Sequence, residues 1–451
     1  MITFSFEKEI AHLHSAWSEW KWAAMDNDNR ASEFVEFRIA GFYGCGKHEF
    51  IRQYIQRDKT AKYISFRGLT GQEALTSFCK QHLDGFEAKT WEEAAIRFKA
   101  LLGRQFVMFI VDSDEQSDVY KEFESTFNNA HRFGRIYVDR VTVTAPGSKR
   151  IPGSINPRSI VDFMKLFPAY SSAEAICLHG LTGGLPAIAR ELDADLTYDD
   201  NLRLLLGHGS AFSRMLPAVL ERLFRSPDSY HPIMYSIATG KHRLSEIAKD
   251  VGFPNNKCGK YLEALIQAGF VTAPKEDKNS YARYYLSNSY VNSWYLYVYK
   301  NRSMQITEPQ KLFNMVKKTS DRYIAMPALY AACRRYIENS VTKDIYGVFD
   351  AYTEGREKSL SLKHESGAKV KFDFVLEHDG RTLLCVYPRS FDEKYTKEQM
   401  QHYIQAAKLY GSLEDDVSLF VFSCSRFSDW CVHQAAEYPQ LFCVTANRLK
   451  Y

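Results

Sequence analysis

Gly41-Phe42-Tyr43-Gly44-Cys45-Gly46-Lys47-His48 has the spacing G-x-x-x-x-G-K and sits between a short apolar run, residues 34–39, and a helical pattern that begins near Lys47. Glycines in such a loop let successive backbone N–H groups turn inward around phosphate oxygens. The lysine reaches the β and γ phosphates, and the first turn of the helix adds partial positive charge. Gly41, Gly44, Gly46, Lys47 and His48 are therefore the candidate binding residues for ATP or ADP. The plain alternative is a glycine turn that caps a helix. His48 stands where a Ser or Thr normally carries a hydroxyl to Mg2+. Imidazole substitutes poorly, because Mg2+ takes oxygen ligands in a tight octahedron, so nucleotide binding with a weak or altered Mg2+ dependence is expected.

A second chemical signal is the run Phe106-Val107-Met108-Phe109-Ile110-Val111-Asp112-Ser113-Asp114-Glu115, which resembles a Walker B strand. An Asp at the end of such a strand holds the water shell of Mg2+, and the next carboxylate polarises the attacking water. Asp112 is in register for the metal side, but Ser113 takes the place of the usual Glu. Asp114-Glu115 supply the pair only if the loop shifts by two residues, which makes Glu115 the candidate base. The departures His48 and Ser113 fall on the metal and water positions, so hydrolysis should suffer far more than binding. Thr144, ending a third apolar run, is placed to touch the γ phosphate or the water; β-branched packing explains a strand Thr equally well.

These residues need strands and helices to position them. Residues 34–39, 61–66, 105–111 and 135–144 read as strands, and residues 47–56, 71–83 and 91–102 as helices with apolar positions three to four apart. Strands alternating with helical crossovers predict an α/β parallel sheet. From 160 to about 225 the pattern is mainly helical. Residues 231–300 change to three short helices followed by a Tyr-rich, β-prone stretch, and 301–320 read as a connector. A helix from 325 to about 340, strands at 369–377 and 381–387, a helix at 397–409 and a strand at 417–423 form a second α/β unit.

The chain has 451 residues, 45% hydrophobic and 25% charged, which excludes a disordered, collagen-like or rod-like protein and predicts several domains. No apolar window of membrane-spanning length occurs, and residues 1–9 lack the pattern of a signal peptide. Nine scattered cysteines without a C-x-x-C pair argue against a zinc site or a disulfide framework and for a cytoplasmic protein. A net charge of +4 does not by itself imply a nucleic-acid partner.

Leu181-Thr182-Gly183-Gly184-Leu185-Pro186 reads locally as a helix end followed by a proline-led helix start. Together with the strand, phosphate loop, helix, acidic strand and polar strand end in this order, it resembles the archaeal and bacterial AAA-type ATPases close to the STAND class. That resemblance implies a helical lid in which Pro186 lies against the adenine, and it gives Arg158, ahead of Leu166-Phe167-Pro168, a place in the lid. Residues 244–271, with Leu244-Ser245-Glu246-Ile247-Ala248 and the closing Gly269-Phe270-Val271, resemble a winged helix-turn-helix, which follows the lid in the same family. Lys257, Lys260 and His242 would meet phosphates if its third helix entered a groove. Residues 231–300 hold nine Lys and Arg against five Asp and Glu, an excess of four that equals that of the whole chain. In STAND-type proteins such a module is as often a protein or intramolecular clamp. The aromatics of 284–297 read as core rather than as a stacking platform.

The C-terminal unit is laid out like a PD-(D/E)xK nuclease, with Glu338, Asp373 and the strand that follows. Its E-x-K positions read Cys385-Val386-Tyr387, so nuclease activity is expected to be absent. Val421-Phe422-Ser423-Cys424-Ser425-Arg426-Phe427 resembles a segment of the domain that follows these ATPases. The expected architecture is a phosphate-loop α/β domain (1–157), a helical lid (158–228), a winged helix (229–302), a connector (303–324) and a degenerate restriction-endonuclease-like α/β domain (325–451). The resemblance implies an ATP- or ADP-binding conformational switch in which hydrolysis is slow or lost. The alternative is a non-enzymatic regulator that binds DNA through the winged helix.

Overall fold

The computed structural model describes residues 4–26, 35–39, 41–66, 68–103, 105–112, 118–128, 133–138, 155–273, 282–337, 358–363, 369–378, 381–413 and 415–449. The chain divides into two compact units between Pro157 and Arg158.

In the first unit, helix α1 (Glu7–Asp26) precedes strand β1 (Val35–Ile39), and helix α2 (Lys47–Arg57) follows the glycine loop. Strand β2 (Ala61–Ser65), helices α3 (Gly71–His82) and α4 (Trp91–Leu102), strand β3 (Val107–Asp112), helix α5 (Asp118–Asn128) and strand β4 (Phe133–Val138) complete its described elements. The sheet order is β1-β4-β3-β2, and every pairing is parallel. A parallel sheet is covered on both faces, which is why β3 is an unbroken apolar run with all six residues buried. Phe78 of α3, Trp91 and Phe98 of α4, Phe109 of β3, and Phe123 and Phe127 of α5 form one aromatic core. Thr70 caps α3 reciprocally with Glu73, and Thr90 caps α4, so both helices begin where their side chains satisfy first-turn N–H groups. The sequence reading did not include α1. Its place is tertiary: Phe6, one residue ahead of it, meets Phe50 edge to face, and the Gln53 amide binds the main chain at Phe4 and Phe6.

The second unit opens with helices Ile160–Leu166, Ser172–Thr182, Pro186–Ala189, Tyr198–Leu206 and Ala211–Leu223. Three further helices, His231–Ala238, Leu244–Val251 and Asn255–Gln267, lead into a two-stranded antiparallel ribbon, β5 (Val271–Thr272) with β6 (Tyr285–Leu286). Of the aromatics in 284–297, Tyr290, Trp294, Tyr295 and Tyr297 are buried core as expected, while Tyr284 and Tyr285 are half-buried. Residues 301–320, expected to be a connector, are largely helical. They hold the helices Met304–Thr307 and Pro309–Ser320, and the second buries Leu312, Phe313 and Val316. Helix Met326–Tyr336 follows.

The last sheet has the order β11-β10-β9-β8-β7, with β7 (Lys358–Lys363), β8 (Lys369–His378), β9 (Arg381–Val386), β10 (Val417–Ser423) and β11 (Leu441–Thr445). Strands β7, β8 and β9 pair antiparallel, whereas β9, β10 and β11 pair parallel. The helix Lys397–Lys408 supplies Met400 and Ile404 to the core of this sheet.

Candidate functional site

The glycine loop leaves the carboxyl end of β1 and enters α2. Two of its residues, Gly44 (φ 80°) and Gly46 (φ 95°), sit in the left-handed region that only glycine adopts without strain. A Cβ on Gly41 would run into the carbonyl oxygen of Ile155 and lie 2.6 Å from Cys45 Sγ. Gly46 is the N-cap of α2 and, as a glycine, supplies no side-chain cap. The helix dipole favours an anion at this end. Lys47 Nζ donates to the Gly41 carbonyl oxygen at 2.6 Å, so the lysine lies folded over its own loop.

Because all four strands run parallel, the carboxyl end of β3 lies at the same edge of the sheet as the loop. Asp112 is almost fully buried there. Its Oδ2 accepts from the Tyr63 hydroxyl at 2.9 Å and lies 3.2 Å from His48 Nε2. A carboxylate only accepts, so this ring nitrogen carries its hydrogen. Three residues far apart in sequence thus form one cluster. Tyr63 was not among the candidates, because the sequence reading provides strand β2 but not the pairing of β2 with β3 that brings Tyr63 to Asp112. The donor set does not fit Mg2+: an imidazole N–H stands where a hydroxyl oxygen belongs, and the carboxylate oxygen it faces already holds two donors. Ser113, Glu115 and Thr144 lie outside the described residues.

The Gly-Gly-Leu-Pro turn has its own structural account. Gly183 (φ 65°) ends the helix Ser172–Thr182, and Pro186 opens the next helix, buried. A Cβ on Gly183 would collide with the Asn288 amide, and one on Gly184 with the Arg158 carbonyl oxygen. The backbone N–H of Arg158 donates to the Gly184 carbonyl oxygen at 2.7 Å, and His179 Nε2 donates to the Arg158 carbonyl oxygen at 2.8 Å. Burial pushes the His179 imidazole down to about 4.

On the helix Asn255–Gln267, Cys258, Leu262 and Leu265 face inward while Lys257 and Lys260 are exposed. Lys257 Nζ lies 4.3 Å from the centre of the Phe253 ring. His242 is held by Nδ1 against the Tyr284 carbonyl oxygen at 2.9 Å, beside the ribbon.

In the C-terminal sheet, Asp373 of β8 is bound on both oxygens. Arg389 Nη1 donates to Oδ1 at 2.7 Å, Lys371 Nζ is 3.6 Å from the same oxygen, and the Tyr387 backbone N–H donates to Oδ2 at 2.8 Å. Cys385 is fully buried in β9, where burial pushes its thiol well up. Glu338 lies outside the described residues. Arg389 carries no sequence signal, since it follows the strand that the E-x-K comparison covers.

No family model matches the chain. Over 154 residues it is 25% identical to the uncharacterized protein MJECL04 of Methanocaldococcus jannaschii, a match covering 33% of this chain and 35% of that protein. The chain thus spans about a third of the length of the curated relative it matches. Among solved structures it is similar to a chain of Drosophila ORC bound to DNA, at 12% identity and a TM-score of 0.32, covering 64% of this chain and 86% of that one. It is also similar to Can2 from Sulfobacillus thermosulfidooxidans in complex with cyclic tetra-adenylate, at 8% identity and a TM-score of 0.19, covering 86% and 96%. At these scores no activity is carried over from either.

Proposed function

We propose that the loop Gly41–His48 binds the phosphates of ATP or ADP and that the chain works as a nucleotide-dependent conformational switch of the AAA/STAND kind, with hydrolysis slow or lost. The observation that carries this reading is the loop itself. It joins a parallel strand to a helix that is N-capped by a glycine, with left-handed glycines at Gly44 and Gly46 and a lysine at the first helical position. Lys47 would exchange the Gly41 carbonyl for a phosphate oxygen. The weak hydrolysis follows from Asp112, whose described partners are a phenol and an imidazole.

Calorimetry with ADP and ATP tests this reading. Binding should be measurable with the wild-type chain and weakened about 10- to 100-fold in Lys47→Ala, the loss of one charge-assisted contact. Equal affinity in the two proteins, or none in either, would refute it. Nucleotide-dependent change in the pattern of limited proteolysis tests the switch.

A second reading has its own observation. Three helices followed by an antiparallel ribbon are the element order of a winged helix-turn-helix, and the outer face of its third helix presents Lys257 and Lys260. If the chain is a DNA-binding regulator, its gel shift should weaken steeply with salt and be lost on replacing both lysines by alanine. No shift at low salt would remove this alternative.

A further inference from the structure

We propose that the phosphate loop takes its nucleotide as the metal-free di- or triphosphate anion, because the His48 imidazole occupies the seat on Asp112 that Mg2+ would use; this rests on the nucleotide-binding reading above. A Ser or Thr after the loop lysine would offer an oxygen to the metal, and the strand-end carboxylate would hold the metal's water shell. Here the residue after Lys47 projects Nε2–H toward the same carboxylate, at 3.2 Å. A nitrogen that carries a hydrogen has no lone pair to give a metal. The oxygen it meets also accepts the Tyr63 hydroxyl at 2.9 Å. The Asp112 side chain is 2% exposed against 65% for His48, so the carboxylate has little access to a hydrated cation while the imidazole lies at the surface.

Phosphate charge must then be met by the protein. Lys47 is within reach of the loop it already touches, and the first-turn N–H groups of α2 together with the helix dipole supply the rest. At this position Mg2+ would gain no ligand from His48, and Asp112 Oδ2 already holds two donors; in solution Mg2+ competes by holding the nucleotide as its own complex. Metal should therefore weaken binding.

The test is calorimetry of ADP and ATP with the full chain, once in EDTA and once in excess MgCl2. The expected result is that Mg2+ weakens both titrations. Equal affinity in the two buffers, or tightening by Mg2+, would overturn the proposal while leaving nucleotide binding intact. No heat of binding in either buffer would overturn both the proposal and the nucleotide reading. His48→Ser, which restores the hydroxyl, should acquire tighter binding in Mg2+ than in EDTA. Should that variant fail to fold, a measurement on wild-type protein decides: electron paramagnetic resonance of free Mn2+ in a Mn2+–ATP mixture. Adding protein should raise the free Mn2+ signal. A fall in that signal would mean that the chain binds the metal complex and that His48 does not exclude the ion.

Discussion

His179 shows how one buried side chain ties a turn and also sets a pH limit. Its Nε2–H holds the Arg158 carbonyl oxygen, and its Nδ1 meets no hydrogen-bond partner among the described residues. Burial is the main reason that its pKa falls from 6.5 to about 4. Between those values the unfolded chain takes up a proton that the folded imidazole refuses. Stability is therefore complete above pH 6.5 and falls as the pH drops toward 4, by about 3 kcal/mol. Denaturant unfolding at several pH values should show this slope in the wild type and a flatter one in His179→Gln, which keeps a donor for Arg158 but does not titrate. Parallel slopes would show that His179 does not set the acid limit. At the same scale, Gly41 illustrates a demand of space rather than of φ, because Ile155 and Cys45 already fill the place of its side chain.

At the scale of elements, the helix Ala211–Leu223 carries Pro217 in its interior. Proline lacks the N–H that would bond the Ser213 carbonyl. The indole N–H of Trp294 supplies it instead, at 3.1 Å. One turn over, the Tyr290 hydroxyl enters the ladder: it donates to the Phe212 carbonyl oxygen at 3.0 Å and accepts from the Leu216 N–H at 3.0 Å. Side-chain insertion at a proline is a known cause of a helix bend, and here it locks two helices together. Removing the hydroxyl leaves two buried backbone groups without partners. Tyr290→Phe should therefore lose about 2–4 kcal/mol of stability by denaturant titration, although its ring volume is unchanged. A loss below about 0.5 kcal/mol would show that the ladder closes on its own. The sequence showed Pro217 and the aromatic stretch separately; their pairing across 70-odd positions was not legible.

For the whole molecule, the chemistry expected at two places fares differently. The first unit has the glycine loop with left-handed Gly44 and Gly46, whereas in the last sheet the expected nuclease carboxylate is held by a guanidinium. Asp373 accepts from Arg389 and Tyr387, and Cys385 stands in a dry strand where a glutamate would be needed. Among the described residues no group of three or more His, Cys, Asp or Glu is placed to hold a metal ion. The full chain is expected to show no Mg2+-dependent cleavage of DNA. Cleavage that disappears in Asp373→Asn would contradict this. No described helix is long and apolar enough to cross a membrane.

Local backbone chemistry was readable from sequence alone. The spacing of Gly41, Gly44, Gly46 and Lys47 dictated a loop between strand and helix, an unbroken apolar run dictated the buried β3, and apolar positions three to four apart dictated the helix over 91–102. Such signals act over a few residues, where φ/ψ limits, caps and side-chain periodicity decide the outcome. Strand order is not local. The crossovers that set β1-β4-β3-β2 carried Tyr63, His48 and Asp112 to one sheet edge, and the β8–β9 pairing brought Arg389 to Asp373. Sequence could say that residue 48 was the wrong type to serve a metal. Only the tertiary structure decided what it does instead, because a hydrogen bond between residues 64 positions apart depends on how the strands between them pack.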